Sequence, residues 1–172
     1  LLSFSDSLLS SVVLSGTEQS WSVAQSADLY GLERWGEPYF SINAKGHVVV
    51  QPRGDRGGSL DLVELLQGLK ARDLSTPILI RFDDILEDRL ERLHAAFERA
   101  IAHYAYDASY QGVFPIKCNQ QRHVVEHLVD RGNRWNFGLE AGSKAELLIA
   151  LSLTKNPDAL LICNGYKDRE YL

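Results

Sequence analysis

The sequence predicts an α/β protein whose second half is a parallel sheet covered by helices. From Tyr110 onward, short apolar runs alternate with helix-length amphipathic stretches: VFPI, a helix near Gln121 to Arg131, FGLE, a helix from Lys144 to Leu153, then ALLIC. Strands joined through helices are crossover connections, and such crossovers make neighbouring strands parallel. Each strand closes on a polar residue: Lys117, Glu140 and Asn164, spaced 23 and 24 residues apart. Three polar groups at one period place themselves at the carboxyl edge of one sheet, where α/β barrels and open sheets both carry their chemistry.

The 172 residues are enough for a real core, since a domain near this size buries roughly 70% of the surface of its unfolded chain. With 45% hydrophobic and 24% charged residues the composition is that of an ordinary globular protein, and a net charge of -5 gives no basic footprint. Nucleic acid and anionic membranes are therefore not expected partners, and no run reaches the length of a transmembrane helix. Cys118 and Cys163 lie far apart and form no C-x-x-C pair, which argues against a disulfide framework or zinc knuckle and suits a reducing cytoplasm.

Residues 1–28 read as a loose amino-terminal segment. Its opening LLSFSDSLLSSVVLSG has the look of a signal-peptide core but lacks a basic region ahead of it. The absence of an initial Met and the ending Glu170-Tyr171-Leu172 in mid-pattern suggest a fragment of a longer protein. Next, Tyr39 to Asn43, the turn Ala44-Lys45-Gly46 and His47 to Val50 predict a β-hairpin. QPRGDRG is loop, and Ser59 is expected to cap a helix to about Ala71 with Leu62, Leu65, Leu66 and Leu69 on one face. Ile78-Leu79-Ile80 reads as a short buried strand. Asp84 with Glu87 resembles a capping box opening a long helix, whose stripe is Ile85, Leu86, Leu90, Leu93, Phe97, Ala100 and Ile101.

Lys117 ends an apolar run with Phe114 and Ile116 beside it, surroundings that can lower an ammonium pKa and free the amine to attack an aldehyde. On spacing alone, the simpler reading is a lysine whose stem follows the strand out into water. Pro115 withholds a ladder donor, so a bulge or an irregular strand is expected there. Glu140 is either a satisfied strand-end carboxylate or, beside Lys117, a group that orients the amine. Ser143-Lys144-Ala145-Glu146 is a capping box, and the helix start it caps could also face a cofactor. His123-Val124-Val125-Glu126-His127 matches the H-x-x-E-H spacing of inverted zinc peptidases. At about 100° per residue, however, Val124, Val125, Leu128 and Val129 form one face and both histidines lie opposite it, on the expected solvent side. A zinc site would need a third ligand on a neighbouring helix.

Four long stretches in order resemble the amino-terminal part of the bacterial biosynthetic arginine decarboxylases: YGLERWGEPYFSINAKGHVVV (Tyr30 to Val50), GVFPIKCNQQRHVVEHLV (Gly112 to Val129), FGLEAGSKAELL (Phe137 to Leu148) and LICNGYKDREYL (Leu161 to Leu172). The lysine in its IKCN context and the acidic residue ahead of an AGS turn are similar to those of the wider group that includes ornithine and diaminopimelate decarboxylases.

The resemblance implies a pyridoxal 5'-phosphate enzyme with an alanine-racemase-like (β/α)8 TIM barrel and a separate β domain. The same resemblance implies that this enzyme would convert L-arginine to agmatine and carbon dioxide through a Schiff base, in polyamine (putrescine and spermidine) biosynthesis. By resemblance, Lys117 carries the cofactor, Glu140 lies near it, and Ser143 is a weaker cofactor-binding candidate with no catalytic step assigned. Residues 29–76 then belong to the β domain or its approach, and 77–172 are the first part of the barrel. The phosphate-binding segment, the partner of the pyridine nitrogen and a cysteine supplied across a dimer interface are expected beyond Leu172, so the fragment alone is expected to be inactive. The resemblance also implies magnesium and a homo-oligomer, although no carboxylate cluster marks a metal site. Two alternatives stay open: a non-catalytic pyridoxal-phosphate protein of the same fold, and a decarboxylase for diaminopimelate, ornithine or lysine.

Overall fold

The structure, a computed structural model, describes residues 20–171. The signal-like opening and most of the segment expected to be loose lie outside the described residues. The end of that segment is not loose. Ser22 and Gln25 form a reciprocal capping box that starts helix α1, Val23–Leu29, followed by α2, Leu32–Gly36. The Ser22 oxygen accepts from the Gln25 amide while the Gln25 side chain accepts from the Ser22 amide, satisfying two end donors at once.

The predicted hairpin is present. Strands β1, Phe40–Ile42, and β2, Val48–Val50, pair antiparallel with Ser41 opposite Val49. Asn43 builds the turn, its Oδ1 accepting from the amides of Lys45 and His47. A third strand, β3, Leu60–Asp61, adds to β2 in a place that sequence reading gave to helix. Helix α3, Leu62–Lys70, therefore starts later than expected and is capped by Asp61, not Ser59, with Asp61 Oδ1 accepting from Val63 and Glu64. Leu62, Leu65 and Leu69 are half-buried, whereas Leu66 is exposed.

Ile78-Leu79-Ile80 is not a strand, and Leu79 is 75% exposed. Apolarity alone suggests a strand there, but among the described residues the segment pairs with no other. The long helix α4, Asp83–His103, is present without the expected capping box, since Phe82 stands at its cap. Asp84 and Glu87 instead accept from Arg53, at 3.3 and 2.8 Å. Its stripe is only partly core: Leu90 is buried and Leu86 packs beneath it, while Leu93 and Phe97 are exposed. The residues that α4 buries most deeply besides Leu90 are Asp88 and His94, which a hydrophobic pattern cannot reveal.

The second half folds as predicted. Strands β4, Val113–Pro115, β5, Gly138–Ala141, and β6, Leu161–Cys163, form a parallel sheet in that order. They are joined through α5, Arg122–Gly132, and α6, Lys144–Leu153. The core is Ile116, Val125, Val129, Leu139, Ala150 and Leu153, and a second cluster of Leu90, Val124, Leu128 and Phe137 seats α4 against α5. Pro115 is the last residue of β4, at the edge of the described sheet, so its missing amide costs no interior ladder bond.

Candidate active site

Parallel pairing sets Pro115 opposite Glu140 and Ala141 opposite Cys163, so the three strands end side by side. Lys117 stands two residues past its strand, in a 3-10 turn spanning Ile116–Cys118. The turn sends Ile116 fully into the core and Lys117 outward. The apolar company expected around the amine is thus on the core side: Phe114 packs between the two clusters, and the Lys117 side chain is 61% exposed.

The three strand-end groups meet. Glu140, with its side chain only 18% exposed, places Oε1 3.5 Å from Lys117 Nζ. Asn164 Nδ2 donates to the same oxygen at 3.2 Å. Asn164 is held by its neighbours: its amide donates to the Ala141 carbonyl, its Oδ1 accepts from Gly165, and Lys167 Nζ donates to the carbonyls of Asn164 and Gly165. Sequence reading placed Asn164 at the edge but missed this clasp, whose signal was the Asn-Gly turn pair itself.

Ser143 does cap α6, accepting from the Glu146 amide at 3.3 Å. The box closes differently from expectation, because Glu146 Oε2 accepts from the Gly142 amide at 2.7 Å, one residue before the cap. Lys144 turns away to Asp168 and Glu170, at 3.0 and 2.9 Å. On the far side of the loop, burial and the neighbouring Cys163 thiol push the Tyr171 phenol above its ordinary value.

The two histidines of the H-x-x-E-H stretch differ from each other. His123 is exposed as expected, but His127 is half-buried and its Nε2 is buried without a partner among the described residues, because Val124 and Leu128 draw that part of α5 inward. Among the described residues no group of three His, Cys, Asp or Glu side chains could hold a metal ion.

What the edge offers chemically is a solvent-facing primary amine, a carboxylate beside it and the capped start of a ten-residue helix. That donor set fits an aldehyde cofactor: the amine is reachable and the carboxylate can share its proton. A family model described as pyridoxal-dependent decarboxylase, pyridoxal binding domain, matches residues 87–172, which include α5, α6 and all three parallel strands. The chain belongs to the pyridoxal-dependent decarboxylases.

Within this family the chain is 75% identical over 155 residues to the biosynthetic arginine decarboxylase of a Synechococcus strain, a match that covers 90% of this chain and 24% of that protein. It is 64% identical over 153 residues to the biosynthetic arginine decarboxylase of Thermosynechococcus vestitus, covering 89% and 24%. The crystal structure of the biosynthetic arginine decarboxylase of Campylobacter jejuni superposes with a TM-score of 0.73 at 33% identity, covering 82% of this chain and 23% of that one. The chain thus spans about a quarter of the length of the curated relatives it matches. The α/β fold is that of a partial barrel of pyridoxal-dependent decarboxylases. Among the described residues, no helix is long and apolar enough to cross a membrane.

Proposed function

We propose that the protein of which this chain is a part decarboxylates L-arginine to agmatine and carbon dioxide in polyamine biosynthesis, with pyridoxal 5'-phosphate carried on Lys117. The observation that carries the substrate is the 75% identity over 155 residues to a protein named biosynthetic arginine decarboxylase. The attachment residue rests on geometry: Lys117 is the lysine at the carboxyl edge of the sheet that is paired with a strand-end carboxylate, whereas Lys144 and Lys167 are engaged by loop groups. Bound there, the cofactor supplies an electron sink for the pair left behind as carbon dioxide departs.

This chain's own residues do the holding and the proton handling. Lys117 supplies the amine from a turn whose core side is locked by Ile116. Glu140 stands close enough to take up or return the lysine's proton with little movement. Ser143 fixes the first turn of α6 so that its amide groups lie at the same edge, a place suited to an anionic group. Residues 29–76 are read as part of a β domain or its approach, and 77–172 as the first part of the barrel. Two exposed free cysteines suit a reducing, cytoplasmic setting, and the full-length protein is read as a homo-oligomer.

The test uses the full-length protein loaded with pyridoxal phosphate. Borohydride reduction followed by peptide mapping should leave the cofactor on the peptide containing Lys117, and carbon dioxide should be released from L-arginine in preference to L-ornithine, L-lysine and meso-diaminopimelate. A label on Lys144 or Lys167 would overturn the site, and equal or better turnover of diaminopimelate would overturn the substrate.

A further inference from the structure

Two donors approach one oxygen of Glu140. Lys117 Nζ stands 3.5 Å from Oε1 and Asn164 Nδ2 stands 3.2 Å from it. A charge-assisted bond between an ammonium and a carboxylate settles at about 2.7–2.9 Å, so the lysine is held short of full contact while the neutral amide is within bonding reach. The Asn164 amide cannot turn over, because its Oδ1 accepts from the Gly165 amide at 2.8 Å and so leaves Nδ2 facing Glu140. Its backbone is pinned too, by the bond from its amide to the Ala141 carbonyl at 2.9 Å and by Lys167 Nζ at 2.5 Å from its own carbonyl. Gly165 completes the turn at φ +86, where a Cβ would meet the Gly142 carbonyl oxygen at 3.1 Å.

We propose that Asn164 is a positioning residue that tethers Glu140 Oε1, keeping the carboxylate beside Lys117 without letting it clamp the amine. A lysine closed on a carboxylate is both charged and immobilised, whereas a nucleophilic lysine must reach its neutral form and move. Sharing the acceptor with a neutral donor weakens the hold while keeping the proton acceptor at hand. The purpose of the tether rests on the proposed role of Lys117, but the tether itself does not.

The experiment therefore reads the lysine directly. Full-length protein freed of cofactor is pulsed with acetic anhydride at about pH 8, where surface lysines react only through their small neutral fraction. Acylation of Lys117 is measured by mass spectrometry against Lys155, whose side chain is 80% exposed. In N164A, Glu140 closes on the ammonium, and Lys117 labelling should slow about three- to tenfold relative to Lys155. In K167A, which touches neither Glu140 nor Lys117, the loosened turn should slow it about twofold. Labelling in N164A at or above the wild-type rate overturns the tether, and where that variant does not fold, the same result in K167A does so. Because no cofactor is present, this outcome is separate from the borohydride mapping, so failure of either reading is seen without the other.

Discussion

Tyr39 donates its hydroxyl to Asp88 at 2.7 Å, across 49 residues of sequence, and so joins the chain beside the antiparallel sheet to the long helix α4. Asp88 is fully buried and also accepts from Arg92 at 2.5 Å and from Arg56. Burial and the bond to Asp88 push the Tyr39 phenol up to about 12. Burial also pushes the Asp88 carboxyl upward, but the hydrogen bonds from Tyr39, Arg92 and Arg56 outweigh it and hold the group below its ordinary range. Asp88→Asn should cost about 2–4 kcal/mol, less than a wholly buried ion pair because both arginines are partly exposed. Tyr39→Phe should cost about 1–2 kcal/mol. A depressed folded value means that the Asp88 contribution is present above the unfolded value of about 3.9 and lost as pH falls through the lower folded one. Urea unfolding measures both; a D88N protein as stable as wild type would show that the network contributes nothing.

A second prediction comes from close backbone approach. A Cβ on Gly138 would stand 1.9 Å from the Leu160 carbonyl oxygen, beside the Leu139 amide bond to that same oxygen. Backbone cannot move aside without opening the β5–β6 pairing, so Gly138→Ala should cost about 3 kcal/mol or more, seen as loss of soluble protein or a collapsed unfolding midpoint. Gly68, inside α3 with open space around it, should behave in the opposite way. There Gly→Ala should stabilise by about 0.5–1 kcal/mol. Equal effects at the two positions would refute the packing argument.

These positions show what the sequence could and could not disclose. The βαβαβ half was legible because apolar runs, helix periods and strand-end polar residues repeat at one spacing, and the meeting of Lys117, Glu140 and Asn164 follows from that register. The first half misled because its elements are short and held by side chains. Asp61 caps α3 from within a strand of only two residues, and Asp84 and Glu87 serve Arg53 in place of their own helix end. Burial of a charged or aromatic-caged residue such as Asp88 or His94 breaks the hydrophobic pattern and depends on partners far away in sequence. The exposure of Lys117 agrees with the simpler reading of its spacing, a stem running out into water, but the 3-10 turn that carries it leaves no mark in an apolar pattern.

His94 gives a pH prediction. It is 3% exposed, stacks on Trp135 with ring centroids 4.6 Å apart, and has a buried Nε2 without a partner among the described residues. Burial pushes the imidazole below its ordinary value, Glu98 opposes this and Arg134 adds to it. Well above about pH 6.5 the ring is neutral in both folded and unfolded states, and its protonation has no effect on stability. As pH falls below that, the unfolded chain takes up a proton that the folded chain refuses, so stability declines until the lower folded value is reached. His94→Phe preserves an aromatic stack and removes the titration. The drop in unfolding free energy between about pH 7.5 and pH 5.5 should shrink in H94F; an unchanged drop would place the titration elsewhere.

The last prediction separates the roles proposed for Lys117 and Glu140. Lys117→Arg keeps a positive charge 3.5 Å or so from Glu140 and keeps the turn, since Ile116 and not Lys117 anchors it. Its guanidinium stays protonated and cannot attack an aldehyde. Full-length K117R should therefore fold with near wild-type stability, give no borohydride-fixed pyridoxal phosphate on this peptide and lose arginine decarboxylation. Glu140→Gln is the gentler change. It removes the carboxylate's charge while leaving an acceptor for Asn164, and the site is open enough at Lys117 that no buried charge is stranded. The cofactor should still be fixed on Lys117, but turnover should fall about 100-fold or more, the scale of a lost proton-transfer partner. Measured side by side, the two variants part attachment from proton handling. Retained decarboxylation in K117R would remove Lys117 from the site, and wild-type turnover in E140Q would reduce Glu140 to a structural strand-end carboxylate.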